Sequence, residues 1–172
     1  GIRVNTIHGN SHATYYPGAK PLTIKLIFGE GSGRLLGAQV VGGDGVDKRI
    51  DVLATAIHAG MTVEDLESLD LAYAPPFGSA NDPVNVAGFA ASHLLRGESQ
   101  ALTAAELPGS GRTLIDVREL AEVQKQPVPG ALNIPLGQLR KKLDQLSPEQ
   151  AYAVTCQIGL RGYLACRLLG HH

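Results

Sequence analysis

The sequence has no tryptophan, one methionine and two cysteines in 172 residues. Cys156 and Cys166 lie ten apart, where a disulfide would have to tie a loop to the body of the following helix. That disfavours a disulfide framework and points to a reduced, cytoplasmic setting. No stretch approaches the ~20 uninterrupted apolar residues of a membrane helix, and no basic-then-apolar segment opens the chain, so it reads as soluble. An excess of charge of one sign is also lacking. Lys and Arg (15) nearly balance Asp and Glu (16) and are scattered, which leaves a net charge of −1 and no footprint for nucleic acid. The chain starts at Gly1 without an initiator Met and ends GHH, as expected of a fragment or a processed product. What it does have is a 44% hydrophobic share, enough for a core in one large or two small domains.

Residues 1–97 read as an α+β unit. "LTIKLIFG" (22–29) and "RLLGAQVVGG" (34–43) are strand-like runs joined by "EGSG", a hairpin signal. Gly29, Gly31 and Gly33 alternate there, but a phosphate-cradling loop must open a helix, and here a second strand follows. Val46, Ile50, Leu53 and Ile57 then fall at helical spacing, with Gly60 as the stop. Thr62 is placed to cap a short helix, "VEDLESL". The loop "DLAYAPPFGSAND" (70–82) is stiffened by Pro75 and Pro76 and is long enough to suggest a function. Asp82 and Pro83 suit the N-cap and first turn of a helix that ends by Gly97. Residues 98–111, rich in small and turn residues, read as a linker. In 112–172, strand-like "RTLIDVR" and "AYAVTC" alternate with "VPGALNIPL", the amphipathic run 136–146 and a final helix from Arg161, the order of an α/β unit with a parallel sheet.

"TCQIGLRG" (155–162) puts Cys156 at the end of a buried-type strand, before a tight loop and a helix. Backbone N–H groups and the positive helix end favour thiolate over thiol, Arg161 supplies a cation, and Gly159 lets the loop curl. On the residues alone, a small apolar cysteine at a strand end remains an equal reading. Cys166, mid-helix between Ala165 and Arg167, reads as a core residue.

"LIDVRE", "PVPGALNIPL" and "CQIGLRG", in this order, resemble the rhodanese (sulfurtransferase) domain. The resemblance implies that Cys156 forms a persulfide, that the loop residues Gln157, Ile158, Gly159 and Leu160 bind the substrate sulfur, and that Arg161 closes the loop. It also implies that Asp116 and Arg118 are a structural pair at a strand end. The family often has Arg after the cysteine and Ser or Thr after the loop arginine; Gln157 and Gly162 here imply weaker attraction for an anion such as thiosulfate. The family also continues past the loop helix with another strand and helix, so the domain is expected to be incomplete.

"YYPGA" (15–19), "LLGAQVVGGDGVDKRIDVLATAI" (35–57) and "YAPPFGSANDPVN" (73–85) resemble the dimerisation domain of the pyridine nucleotide-disulfide oxidoreductases, closest to coenzyme A-disulfide reductases fused to a rhodanese and to NADH-dependent persulfide reductases. This implies an antiparallel sheet with helices that forms a homodimer and sends loops toward the partner's active site. It places Tyr15 and Tyr73 beside the disulfide, where a phenol can hydrogen-bond a thiolate or donate a proton to a departing thiol. Without the resemblance both tyrosines read as packing aromatics. Asn81 stands where relatives often carry Lys near coenzyme A phosphates. His8 and His12 in "HGNSH" read as loop residues without a third metal ligand. FAD and NAD(P)H are expected in the intact enzyme, on domains preceding Gly1, with none held by this piece alone. The implied function is the C-terminal portion of an FAD- and NAD(P)H-dependent reductase of coenzyme A disulfide, persulfide or polysulfide. The alternative is a stand-alone dimeric sulfurtransferase or interaction module without redox activity.

Overall fold

The computed structural model describes residues 1–171. The chain divides into two compact units, one over Gly1–Gly97 and one from Glu98 onward.

In the first unit three strands, β1 (Ile2–Asn10), β2 (Pro21–Gly29) and β3 (Leu35–Gly42), form an antiparallel sheet in the order β1-β2-β3. β2 is central and shows why the sheet forms. Leu22, Ile24, Leu26 and Phe28 alternate with Thr23, Lys25 and Ile27, and every residue of the first set is buried. Burying each is worth about 1.5–3 kcal/mol relative to leaving it exposed. The alternating glycines fall in the turn of the β2–β3 hairpin, where Gly33 has φ of 65° and donates its N–H to Gly29 O at 2.9 Å. The helices α1 (Val46–His58), α2 (Val63–Glu67) and α3 (Pro83–Leu95) cover the sheet's apolar face with Leu53, Ala56, Val63, Leu66, Val84, Ala87 and Ala91.

Thr62 caps α2 in a reciprocal capping box with Asp65, and Asp82 caps α3 through the Val84 N–H. Three of the four stripe residues on α1 reach the core, Leu53 buried and Val46 and Ile57 half-buried against it. Arg49, Leu53 and Ala56 are the helix's buried line, and Ile50 is only half-buried. A lone arginine counts as exposed in a pattern reading, because arginine is almost never fully buried unless paired. β1 also escapes the pattern reading: as an edge strand it has one fully buried residue, Ile7. His8 is accordingly a strand residue, not a loop residue, with Nδ1 2.9 Å from Thr23 Oγ1.

The second unit is a three-stranded parallel sheet in the order β5-β4-β6, formed by β4 (Thr113–Asp116), β5 (Leu132–Asn133) and β6 (Tyr152–Thr155). Around it lie α4 (Leu120–Lys125), α5 (Leu136–Leu139) and α6 (Leu160–Leu169), with Ile115, Val117, Ile134, Leu139, Leu146 and Ala165 as the core. α4 has no buried residue and so no apolar stripe to read. The run 136–146 is one α turn followed by a 3-10 segment, Arg140–Gln145, rather than one amphipathic helix. It still buries Leu139 and Leu146, with Leu146 N–H bonded to Leu143 O at 2.8 Å.

Candidate functional site

β6 delivers Cys156 at its carboxyl end, and Val117 N–H holds the preceding Thr155 O at 3.0 Å. Residues 157–159 then turn sharply into α6. The turn needs a glycine, because Gly159 sits at φ of 107°. Two backbone donors converge on the sulfur: Gly159 N–H at 3.1 Å and Gly162 N–H at 3.2 Å from Cys156 Sγ. Gly162 is buried, and a Cβ there would lie 3.7 Å from the sulfur, so the helix start approaches it closely. Such a cradle complements a sulfur bearing negative charge. Gln157, Ile158 and Leu160 are exposed around it. Cys166 is half-buried on α6, and burial pushes its thiol up; neither cysteine is in a disulfide.

Arg161 directs both Nη atoms not at the sulfur but at Glu122 of α4, with Nη1 to Oε2 at 2.6 Å and Nη2 to Oε1 at 2.7 Å. This fork holds the Glu122 carboxyl down to about 2, helped by the Glu119 backbone N–H. Glu122 was not singled out in the sequence, where its only signal is the capping spacing with Glu119. Behind the loop, Asp116 and Arg118 form a buried pair, with Nη2 to Oδ2 at 2.6 Å, and Arg118 also donates to Gln126 O at 2.9 Å. The Arg118 hydrogen bonds hold the Asp116 carboxyl below its ordinary value despite burial.

In the first unit the chain leaves β1 at Ser11 and returns at Lys20, closed by Ser11 N–H to Lys20 O at 2.8 Å. This excursion carries Tyr15. The segment 70–82 carries Tyr73, and the two phenol oxygens meet at 2.5 Å although their residues are 74% and 46% exposed. The Tyr15 hydrogen bond pushes the Tyr73 phenol up. Asn81 is exposed beside Asp82. His12 is buried, with Nδ1 3.1 Å from Ala13 O and its ring edge-on to Tyr16 at 5.8 Å. Both tyrosines were singled out in the sequence; that their hydroxyls touch was not.

Residues 2–82 match the family model of the pyridine nucleotide-disulphide oxidoreductase dimerisation domain, and residues 100–172 match that of the rhodanese-like domain. The two matches follow one another along the chain and do not overlap. Among solved structures it is similar to a reduced CoADR-RHD of Bacillus anthracis, with 47% identity and a TM-score of 0.93 over 99% of this chain and 31% of that one. It is also similar to a NAD-dependent persulfide reductase from A. fulgidus, with 39% identity and a TM-score of 0.87 over 99% of this chain and 31% of that one. A coenzyme A disulfide reductase of Staphylococcus epidermidis is 44% identical over 81 residues, which is 47% of this chain and 18% of the relative. The chain therefore spans under a fifth of that curated relative and under a third of the two solved structures. The tyrosine pair lies in the dimerisation domain and the cysteine loop in the rhodanese-like domain. Among the described residues no helix is long and apolar enough to cross a membrane.

Proposed function

We propose that this chain is the C-terminal part of a reductase of coenzyme A disulfide, persulfide or polysulfide that uses FAD and NAD(P)H, in which Cys156 carries sulfane sulfur. The observation that carries the reading is the convergence of the Gly159 and Gly162 amides on Cys156 Sγ. The Cys156 thiolate attacks the outer sulfur of a persulfide RSSH. The S–S bond of the donor breaks, a new S–S bond forms on Cys156, and the departing RS⁻ takes the proton to leave RSH. The two amides then hold the negative charge of the enzyme persulfide. A second thiolate, coenzyme A in this reading, takes the outer sulfur and restores Cys156. Gln157, Ile158, Gly159 and Leu160 line the approach, and Arg161, locked on Glu122, fixes the loop's far end.

In the dimerisation domain, Tyr15 and Tyr73 share a hydrogen bond, which suits them to donate a proton to a thiolate leaving a disulfide in the partner's active site. Asn81 lies on the same segment as Tyr73 and contacts the coenzyme A end of the substrate. The residues of this chain do not fit a dinucleotide. Gly29, Gly31 and Gly33 belong to a hairpin turn, and the glycine turn before α1 has Lys48 where a third glycine of such a loop stands. Flavin and nicotinamide binding accordingly fall to other domains of the intact enzyme, a cytoplasmic homodimer joined through residues 1–97.

The test is intact mass after incubation with a low-molecular-weight persulfide. The wild-type chain gains one sulfur atom, lost on reduction, and Cys156→Ala gains none, with Cys166 present in both as internal control. Equal labelling of the two proteins rejects the assignment.

A further inference from the structure

Among the described residues the largest fully buried side chain belongs to a charged residue that takes no part in the chemistry above. Arg49, on the first turns of α1, is 1% exposed. Its guanidinium meets acceptors from three separate stretches of chain. Nη1 donates to Gly45 O at 3.2 Å, Nε to Asp82 Oδ1 at 3.2 Å, and Nη2 both to Asp82 Oδ2 at 2.8 Å and to Ser11 O at 2.7 Å. Ser11 opens the excursion that carries Tyr15, and Asp82 ends the segment that carries Tyr73. One nitrogen thus bridges the roots of the two loops whose tips meet. The Ala13 N–H, bonded to Gly78 O at 2.8 Å, is a further tie between the same two segments.

We infer that Arg49 is the positioning residue that brings the Tyr15 and Tyr73 hydroxyls together, acting through Ser11 and Asp82. The inference rests on the proposed role of the two phenols. Two exposed aromatic side chains on separate loops keep a common hydrogen bond only if the loops are held in fixed register, because each loses rotamer freedom on pairing. A buried ion pair adds little net stability over a well-packed apolar replacement, so its distinctive contribution is geometric. Arginine suits the task and lysine does not. The guanidinium is a rigid planar fork with five N–H donors that can serve a carboxylate and a carbonyl at once, whereas an ammonium on a flexible stem cannot hold both in one plane. Lys48 Nζ, 3.8 Å from Asp82 Oδ2, adds charge at the same carboxylate from beyond hydrogen-bond distance. Asp82 does double duty, since Oδ1 also accepts the Val84 N–H at 3.1 Å and so caps α3. The Tyr73 segment is thereby fixed to the helix that anchors it in the core.

The test uses the whole chain with carbon-13 on the tyrosine ring carbon that bears oxygen, so that Tyr73 ionisation is read by NMR against pH. Tyr15→Phe sets the reference in which Tyr73 loses its partner and titrates lower than in the wild type. Arg49→Lys is expected to show the same full downward shift while keeping the wild-type circular dichroism and a cooperative melt. If that variant fails to fold, Arg49→Met with Asp82→Asn is read in the same way; it removes both charges and keeps an acceptor for Val84. A folded variant of either kind in which Tyr73 still titrates as in the wild type overturns the inference. Failure of both to fold assigns Arg49 to the fold alone and overturns it as well. The function itself is judged separately, in the intact enzyme. If Tyr15→Phe leaves disulfide reduction unchanged there, the proton-donor role fails whatever Arg49 does to the phenols.

Discussion

At the scale of single residues, the charge next to the cysteine loop is balanced. Arg161, the cation expected to serve the sulfur, gives both ends of its fork to Glu122, so the loop carries a closed ion pair beside the exposed Ile158 and Leu160. The Glu122 carboxyl titrates lower when folded, about 2 against an ordinary 4.5. Its contribution to stability is therefore present above the ordinary range and is lost as pH falls through it toward about 2. Glu122→Gln should lower Tm by a few degrees near neutral pH, the difference from wild type closing in strong acid. Melts of both proteins across the acid range check this, and a gap independent of pH means that Glu122 does not act through charge. The pairing of Glu122 with Arg161 was invisible in the sequence, since the two lie 39 residues apart and no local spacing encodes that distance. Cys156 and Gly159 were legible because a strand, a tight turn and a helix follow one another within a few residues.

At the scale of elements, helix ends were easier to read than helix faces or edge strands. The caps Thr62 and Asp82 announce themselves through the side-chain chemistry of one residue. β1 and α4 bury too little apolar surface to print a period. α2 and α3 show a further limit. Gly88 lies inside α3, where intrinsic propensity counts it as a weakness of about 1 kcal/mol relative to Ala. A Cβ there would stand 2.8 Å from Leu66 Cβ, 3.0 Å from Glu67 N and 3.1 Å from the Leu66 carbonyl carbon. Two of these are backbone atoms of α2, which cannot swing away, so overpacking of about 1–3 kcal/mol outweighs the propensity gain. Gly88→Ala should destabilise the chain in urea melts; a rise in the midpoint would mean that α2 shifts freely.

At the scale of the whole chain, the change from hairpin signals to alternating strands and helices was enough to read two architectures in order. Long-range pairing was not, and both the Tyr15–Tyr73 contact and the Arg49 anchor depend on it. The first unit leaves Ile2, Val4, Leu36 and Val41 exposed on its two edge strands, apolar surface of the kind that interfaces cover. Light scattering should give twice the chain mass at micromolar concentration, and a monomer throughout that range contradicts the dimer. Position 45 bears on the same tyrosine-bearing loops. Gly45 has φ of 67°, and a methyl group on it would collide with Arg49 Nη1 and lie 3.7 Å from Ser11 Cβ. A side chain at this position would press on the guanidinium from the α1 side on a backbone that L residues rarely adopt, so the space that seats Arg49 depends on a residue that contributes no atoms beyond its backbone.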